Sequence, residues 1–180
     1  MKEDIKEIYF SAEELAEIVK NLGKQISEDY KDKNLLLVSI LKGSVIFMAD
    51  LMRAITIPCR IDFMSVSSYG SGTKTSGVVK IQKDLDINLE GYDLLIVEDI
   101  LDSGITLSYL KKVLADRNAA SIRVCTLLDK PGNRQADISA DYVGKVIPDE
   151  FVIGYGLDYN EKYRNLPFVG VLARRVYADR

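Results

Sequence analysis

Histidine is missing altogether from the 180 residues. That absence excludes Ser-His-Asp triads and Cys-His pairs and removes the commonest metal ligand. Acid, base or metal chemistry must therefore come from carboxylates, lysine or tyrosine, and hard oxygen ligands favour magnesium. Cysteine is scarce: Cys59 and Cys125 are the only two, too few for a four-ligand zinc site or a disulfide framework. Their strand-like neighbours predict two small, buried apolar side chains. No apolar run approaches the roughly 20 residues of a membrane span, and the opening MKEDIKEIYF mixes charges without a signal-peptide core. A cytoplasmic protein with no membrane partner is expected. The net charge is -3 with Lys and Arg scattered, so the basic face that nucleic acid requires is lacking and a small-molecule partner is favoured.

What is present is enough apolar material, 47% of the residues, for one sizeable core and a single domain over 1–180. Ser11 followed by Glu14 is a capping-box signature that Phe10 and Leu15 can staple, and Leu15, Ile18, Val19, Leu22 and Ile26 follow at helical spacing. LLLVSIL (Leu35–Leu41) reads as a buried strand, then Gly43, then a helical stripe of Val45, Met48, Ala49, Met52 and Ile55. A strand around Cys59 to Ser67 completes a βαβ unit. SYGSGTKTSG, with three glycines, predicts a flexible hairpin loop before the strand-like VVKIQ (Val78–Gln82). LLIV (Leu94–Val97), a helix carrying Leu107, Leu110 and Leu114, and IRVCTLL (Ile122–Leu128) repeat the pattern. Short strands are expected near Tyr142 to Ile147, Phe151 to Ile153 and Phe168 to Leu172. The expected fold class is α/β, with a mostly parallel sheet.

An open parallel sheet binds ligands beyond the carboxyl ends of its strands, where Glu98 and Asp99 are expected to stand as strand LLIV ends. Asp102 to Thr106 then turns into a helix. A helix start offers unpaired N–H groups and a favourable dipole, Gly104 permits close backbone approach, and Ser103 and Thr106 add hydroxyl donors. Together with Ile105 they form an anion cradle suited to phosphate. Carboxylates beside it accept hydrogen bonds from sugar hydroxyls or hold magnesium, so the pair describes a ribose 5-phosphate. By itself Asp102-Ser103-Gly104 also reads as an ordinary turn and N-cap. No G-x-x-x-x-G-K-[ST] occurs, and Gly154-Tyr155-Gly156 lacks the third glycine of a dinucleotide fingerprint.

VEDILDSGIT (Val97–Thr106) resembles the diphosphate-ribose signature of type I phosphoribosyltransferases, in the form of their hypoxanthine-guanine branch. LKG (Leu41–Gly43) resembles that branch's pyrophosphate loop and SSYGSGTKTSG its mobile catalytic loop, while LLDKPGNR and FVIGYGLDYNEKYRNLP resemble its purine and metal segment. The resemblance spans nearly the whole chain in order, without departure at a functional position. It implies a doubly wound sheet with helices on both faces, a core over about 30–150, a lid loop opened by Ser68 and Tyr69, and a small hood from 151–180 with part of the N-terminus. It also implies that Leu41, Lys42, Gly43 and Arg164 meet pyrophosphate, with a non-proline cis peptide often at Leu41–Lys42. Lys130, Phe151, Val152 and Asp158 would meet the purine, and Glu98, Asp99 and Asp158 magnesium. Asp102 would exchange a proton with purine N7. Without the motif context, Lys130 reads as a solvated loop lysine before Pro131 and Phe151 as a core aromatic. The implied reaction forms IMP or GMP from 5-phosphoribosyl diphosphate in a homodimer or homotetramer. A xanthine-preferring transferase and a nucleic-acid-binding regulator of the same fold are the rival readings.

Overall fold

The computed structural model describes residues 1–68 and 79–178. Tyr69 and the loop that follows it lie outside the described residues.

Continuous apolar runs become the inner strands of a six-stranded sheet. In chain order these are β2 (Leu35–Leu41), β3 (Arg60–Ser68), β4 (Val79–Lys83), β5 (Asp93–Leu101), β6 (Ser121–Asp129) and β7 (Tyr142–Val146). The spatial order is β4-β3-β2-β5-β6-β7, with only edge strand β4 antiparallel to its neighbour. The order reverses between β2 and β5, and such a switch point opens a crevice beyond the carboxyl ends of the two strands.

Because side chains alternate along a strand, runs without polar interruption must be covered on both faces. Leu35, Leu37, Leu95, Val97, Cys125 and Leu127 pack with α1 (Ala12–Asp29) and α2 (Val45–Ala54), while Leu36, Val38, Leu94, Ile96 and Val124 pack with α3 (Ile105–Ala115). Helix α1 begins at the predicted capping box. Ser11 Oγ accepts from Glu14 N–H at 3.2 Å, and Glu14 Oε2 accepts from Ser11 N–H at 2.8 Å. All five predicted apolar positions of α1, and Leu107, Leu110 and Leu114 of α3, are buried.

Four local expectations need correction. A strand, β1 (Ile5–Phe10), precedes α1 and pairs with β9 (Val169–Leu172), which also pairs with β8 (Val152–Ile153) in a separate three-stranded antiparallel sheet. IKEIYF has no clean alternation, and only the C-terminal partner makes it a strand. Helix α2 buries Phe47, Met48 and Leu51, leaving Val45 and Ala49 exposed. Apolar residues on nearly every side of this helix let tertiary packing choose the face. Cys125 is buried, but Cys59 is only half-buried. Strand β5 continues through Glu98 and Asp99 to Leu101, paired along that stretch with β6. The two acids therefore lie inside the strand, because β6 supplies hydrogen-bond partners that the sequence of β5 alone does not announce. No helix among the described residues is long and apolar enough to cross a membrane.

Candidate active site

Both strands that flank the switch point end in chemistry. At the end of β5, Glu98, Leu101, Asp102, Ser103, Gly104 and Thr106 line a hollow of about 160 Å³. Gly104 caps α3 with φ 76°, a left-handed conformation disfavoured for side chains. A Cβ there would also meet Ile138 Cγ2 at 2.6 Å and Arg134 Cδ at 3.0 Å. The first backbone bond of α3 runs from Ser108 N–H to Gly104 C=O at 2.9 Å, and Gly104 offers no side chain to cap the preceding amides. An uncapped helix start of this kind is suited to an anion. Ser103 Oγ accepts only a long 3.4 Å bond from Ile105 N–H, while Ser103 C=O accepts from Gln135 and Ala136 N–H at 2.9 and 3.2 Å. The cradle is thus held from behind. Arg134, bonded to Asp129 and to Ile138 C=O, completes that support.

The acids before the cradle have unusual electrostatics. Burial, reinforced by the neighbouring Asp99 charge, raises the Glu98 pKa well above the usual carboxylate range. Burial pushes Asp99 up to about 6, against the lowering effects of the Ile100 N–H bond and nearby Arg164. As successive strand residues they point to opposite sides. Glu98 lines the cradle, and the Asp99 carboxylate presses on Gly43, where an added Cβ would lie 1.8 Å from Oδ2. Two half-buried carboxylates short of positive charge are suited to a hard cation.

After β2, Leu41–Lys42 is a cis peptide, as the resemblance implies. Ser44 Oγ donates to Ile40 C=O at 2.5 Å, and Ser39 Oγ lies 2.7 Å from Ser44 Oγ, so two buried hydroxyls pin this turn. Gly43 C=O in turn fits against Gly156, where a Cβ would stand 2.0 Å from that oxygen. The loop after β2, the end of β5 and the Gly154–Arg164 segment thereby meet at one point. Arg164 donates to Gly156 C=O at 2.9 Å and pairs with Asp158 at 3.0 Å and Glu161 at 3.2 Å. Lys42 reaches Glu161 at 3.0 Å.

Lys130 follows β6 and donates its N–H to Leu101 C=O at 2.9 Å, beside the cradle. Its side chain is buried, 7% exposed, with Asp149 at 3.6 Å. The solvated-lysine reading is therefore wrong, because the chain leaving β6 buries this residue. Phe151 is 38% exposed, not a core aromatic; it stacks on Tyr177 at 5.2 Å between centroids and meets Tyr159 edge-on at 5.5 Å. Val152 is buried in β8, and Ser68 ends β3. Among the described residues no three potential ligands cluster as a metal site. Glu98, Asp99 and Asp158 are thus not a preformed cage, since Arg164 already pairs with Asp158.

Residue-level reasoning passed over Arg134, Asp149 and Glu161, which bear on the cradle, on Lys130 and on the cations Lys42 and Arg164. Arg134 sits within the quoted LLDKPGNR, and only its contact with Gly104 reveals its place.

A model of the phosphoribosyl transferase domain matches residues 6–160. Among curated relatives, the hypoxanthine-guanine phosphoribosyltransferase of Bacillus subtilis is 54% identical over 98% of both chains. That of Staphylococcus epidermidis is 53% identical over 99% of both. A crystal structure of a hypoxanthine phosphoribosyltransferase from Staphylococcus aureus superposes with a TM-score of 0.96 at 52% identity, covering 98% of this chain and 96% of that one. With the switch-point crevice and its uncapped helix start already in place, these likenesses settle the family: the chain belongs to the phosphoribosyltransferases, in the hypoxanthine-guanine branch.

Proposed function

We propose that this chain transfers the 5-phosphoribosyl group from 5-phosphoribosyl diphosphate to N9 of hypoxanthine or guanine, giving IMP or GMP and diphosphate. The observation that carries the proposal is the uncapped helix start at Gly104, set beside Glu98 at the switch point. Ser103, Gly104, Ile105 and Thr106 take the 5-phosphate, and Glu98 and Asp99 take the ribose hydroxyls. Leu41, Lys42, Gly43 and Arg164 take the diphosphate. Buried Lys130 donates to the purine 6-oxo group; an ammonium cannot accept from the 6-amino group of adenine, which excludes that base. Phe151 stacks on the purine, the Val152 backbone meets its edge, and Asp158 lies on the same side.

As the bond from ribose C1 to the diphosphate oxygen breaks, N9 bonds to C1 and Asp102 takes the proton from N7. Positive charge grows on the ribose, so positioning and charge stabilisation supply most of the rate. The lid opened by Ser68 and Tyr69 keeps water from the electron-poor carbon. Magnesium fits this donor set, since it needs only one or two carboxylates when substrate oxygens and water complete its shell. Glu98, Asp99 and Asp158 would hold it, and it would neutralise the diphosphate charge. Free Cys59 and Cys125 suit a reducing compartment such as the cytoplasm. The family resemblance supports assembly as a homodimer or homotetramer. The deciding experiment compares turnover of hypoxanthine, guanine, xanthine and adenine with the sugar diphosphate and magnesium. Turnover of hypoxanthine and guanine, with adenine inert, is expected; no turnover of any base would overturn the proposal.

A further inference from the structure

The two cations assigned to diphosphate, Lys42 and Arg164, share a carboxylate. Glu161 Oε2 accepts from Lys42 Nζ at 3.0 Å and its Oε1 accepts from Arg164 Nη2 at 3.2 Å. One side chain thus bridges the loop after β2 and the segment after β8 with two anionic oxygens, as a bound diphosphate would.

The backbone beneath Glu161 is built for this placement. Tyr159 and Lys162 exchange N–H to C=O bonds at 3.2 and 3.1 Å, closing a two-residue turn whose central residues, Asn160 and Glu161, have φ of 52° and 60°. Turns of this kind favour Asn followed by Gly, and a side chain in the second position carries strain. Asp158 Oδ2, accepting from Glu161 N–H at 2.8 Å, holds the turn. Glycine would suit the backbone better; glutamate suits the cations.

Resting on the assignment of Lys42 and Arg164 above, we propose that Glu161 is an internal counter-anion of the diphosphate subsite. It holds both cations in place while the subsite is empty, competes with diphosphate for them, and swings away as diphosphate binds. Lys42 and Glu161 are 67% and 65% exposed, so their pairing is weak enough to be displaced by a polyanion. Competition of this kind weakens the sugar diphosphate and free diphosphate alike and speeds departure of the product.

Calorimetric titration of inorganic diphosphate with magnesium tests this on the wild type, Glu161→Gln, Lys42→Met, the double variant and Arg164→Gln. Glu161→Gln is expected to bind diphosphate at least threefold more tightly, and Glu161→Gly, which relieves the turn, to do the same. The gain should fall by more than half in the Lys42→Met background, because the partner is gone. Unchanged or weaker binding in Glu161→Gln overturns the proposal. So does an undiminished gain without Lys42, which would mark a general field effect. If neither Lys42→Met nor Arg164→Gln weakens diphosphate, the subsite assignment fails and takes the proposal with it.

Discussion

The cradle at Ser103–Thr106 and the segment Gly154–Arg164 both offer anion-binding groups, yet they are built in opposite ways. The cradle rises from a buried strand, is backed by Ile138 and Arg134, and is fastened by backbone bonds from Gln135 and Ala136 to Ser103. The other segment rests on side-chain ion pairs among Lys42, Asp158, Glu161 and Arg164, exposed at Lys42 and Glu161 and partly buried at Asp158 and Arg164, with Tyr155, Asn160, Glu161 and Tyr163 all in left-handed backbone conformations. The difference matches the fates of the two groups in the proposed reaction. The 5-phosphate stays with the ribose from substrate to product and gains from a preformed site, whereas the diphosphate must be held and then released. The exposed Lys42–Glu161 pair is exchangeable and allows release, since it contributes little when solvated.

Three substitutions bear on this contrast. Asp102→Asn keeps the cradle's backbone but removes the proton acceptor, and kcat should fall about 10²-fold or more, in line with typical general-base contributions. Unchanged turnover would sink the assignment. Gly104→Ala attacks the rigid region through both its positive φ and the 2.6 Å contact with Ile138. We expect about 2 kcal/mol of destabilisation in denaturant titration and a KM for the sugar diphosphate raised about tenfold, with the KM for hypoxanthine little changed. Equal losses for both substrates would show that the cradle is not a separate, preformed unit.

Asp99→Asn carries the smallest effect and is read without magnesium. The folded-state pKa of Asp99 is raised, from 3.8 to about 6, so the folded protein binds the proton more tightly than the unfolded chain. Its favourable contribution is complete below about pH 4 and is lost as pH rises through 6. Asparagine lacks this penalty. The variant should match the wild type near pH 4 and exceed it above pH 7 by about 1 to 2 kcal/mol, discounted for partial solvent access, or a few degrees in Tm. A gain that did not change with pH would point to packing against Gly43 instead of charge.

Much of the fold was legible because buried parallel strands and amphipathic helices announce themselves. Leu35–Leu41, the capping box at Ser11 and the leucines of α3 each carry a local signal strong enough to survive packing. The cradle was legible for the same reason: a strand, an Asp-Ser-Gly turn and a helix start are contiguous. Strand β1 and the buried face of α2 were not, because their partners lie far away in sequence and their own patterns admit more than one answer.

By itself the sequence determined the α/β class, the absence of histidine chemistry and, through contiguous motifs, the family. Only the tertiary structure decided that Glu98 and Asp99 lie within β5 on opposite sides, that Lys130 is buried beside Asp149, and that Gly43, Asp99 and Gly156 interlock. It also joined Lys42 to Arg164 through Glu161. The division has a physical cause. Hydrophobic period and helix capping act over a few residues, whereas desolvation and ion pairing depend on what distant segments bring to the same place.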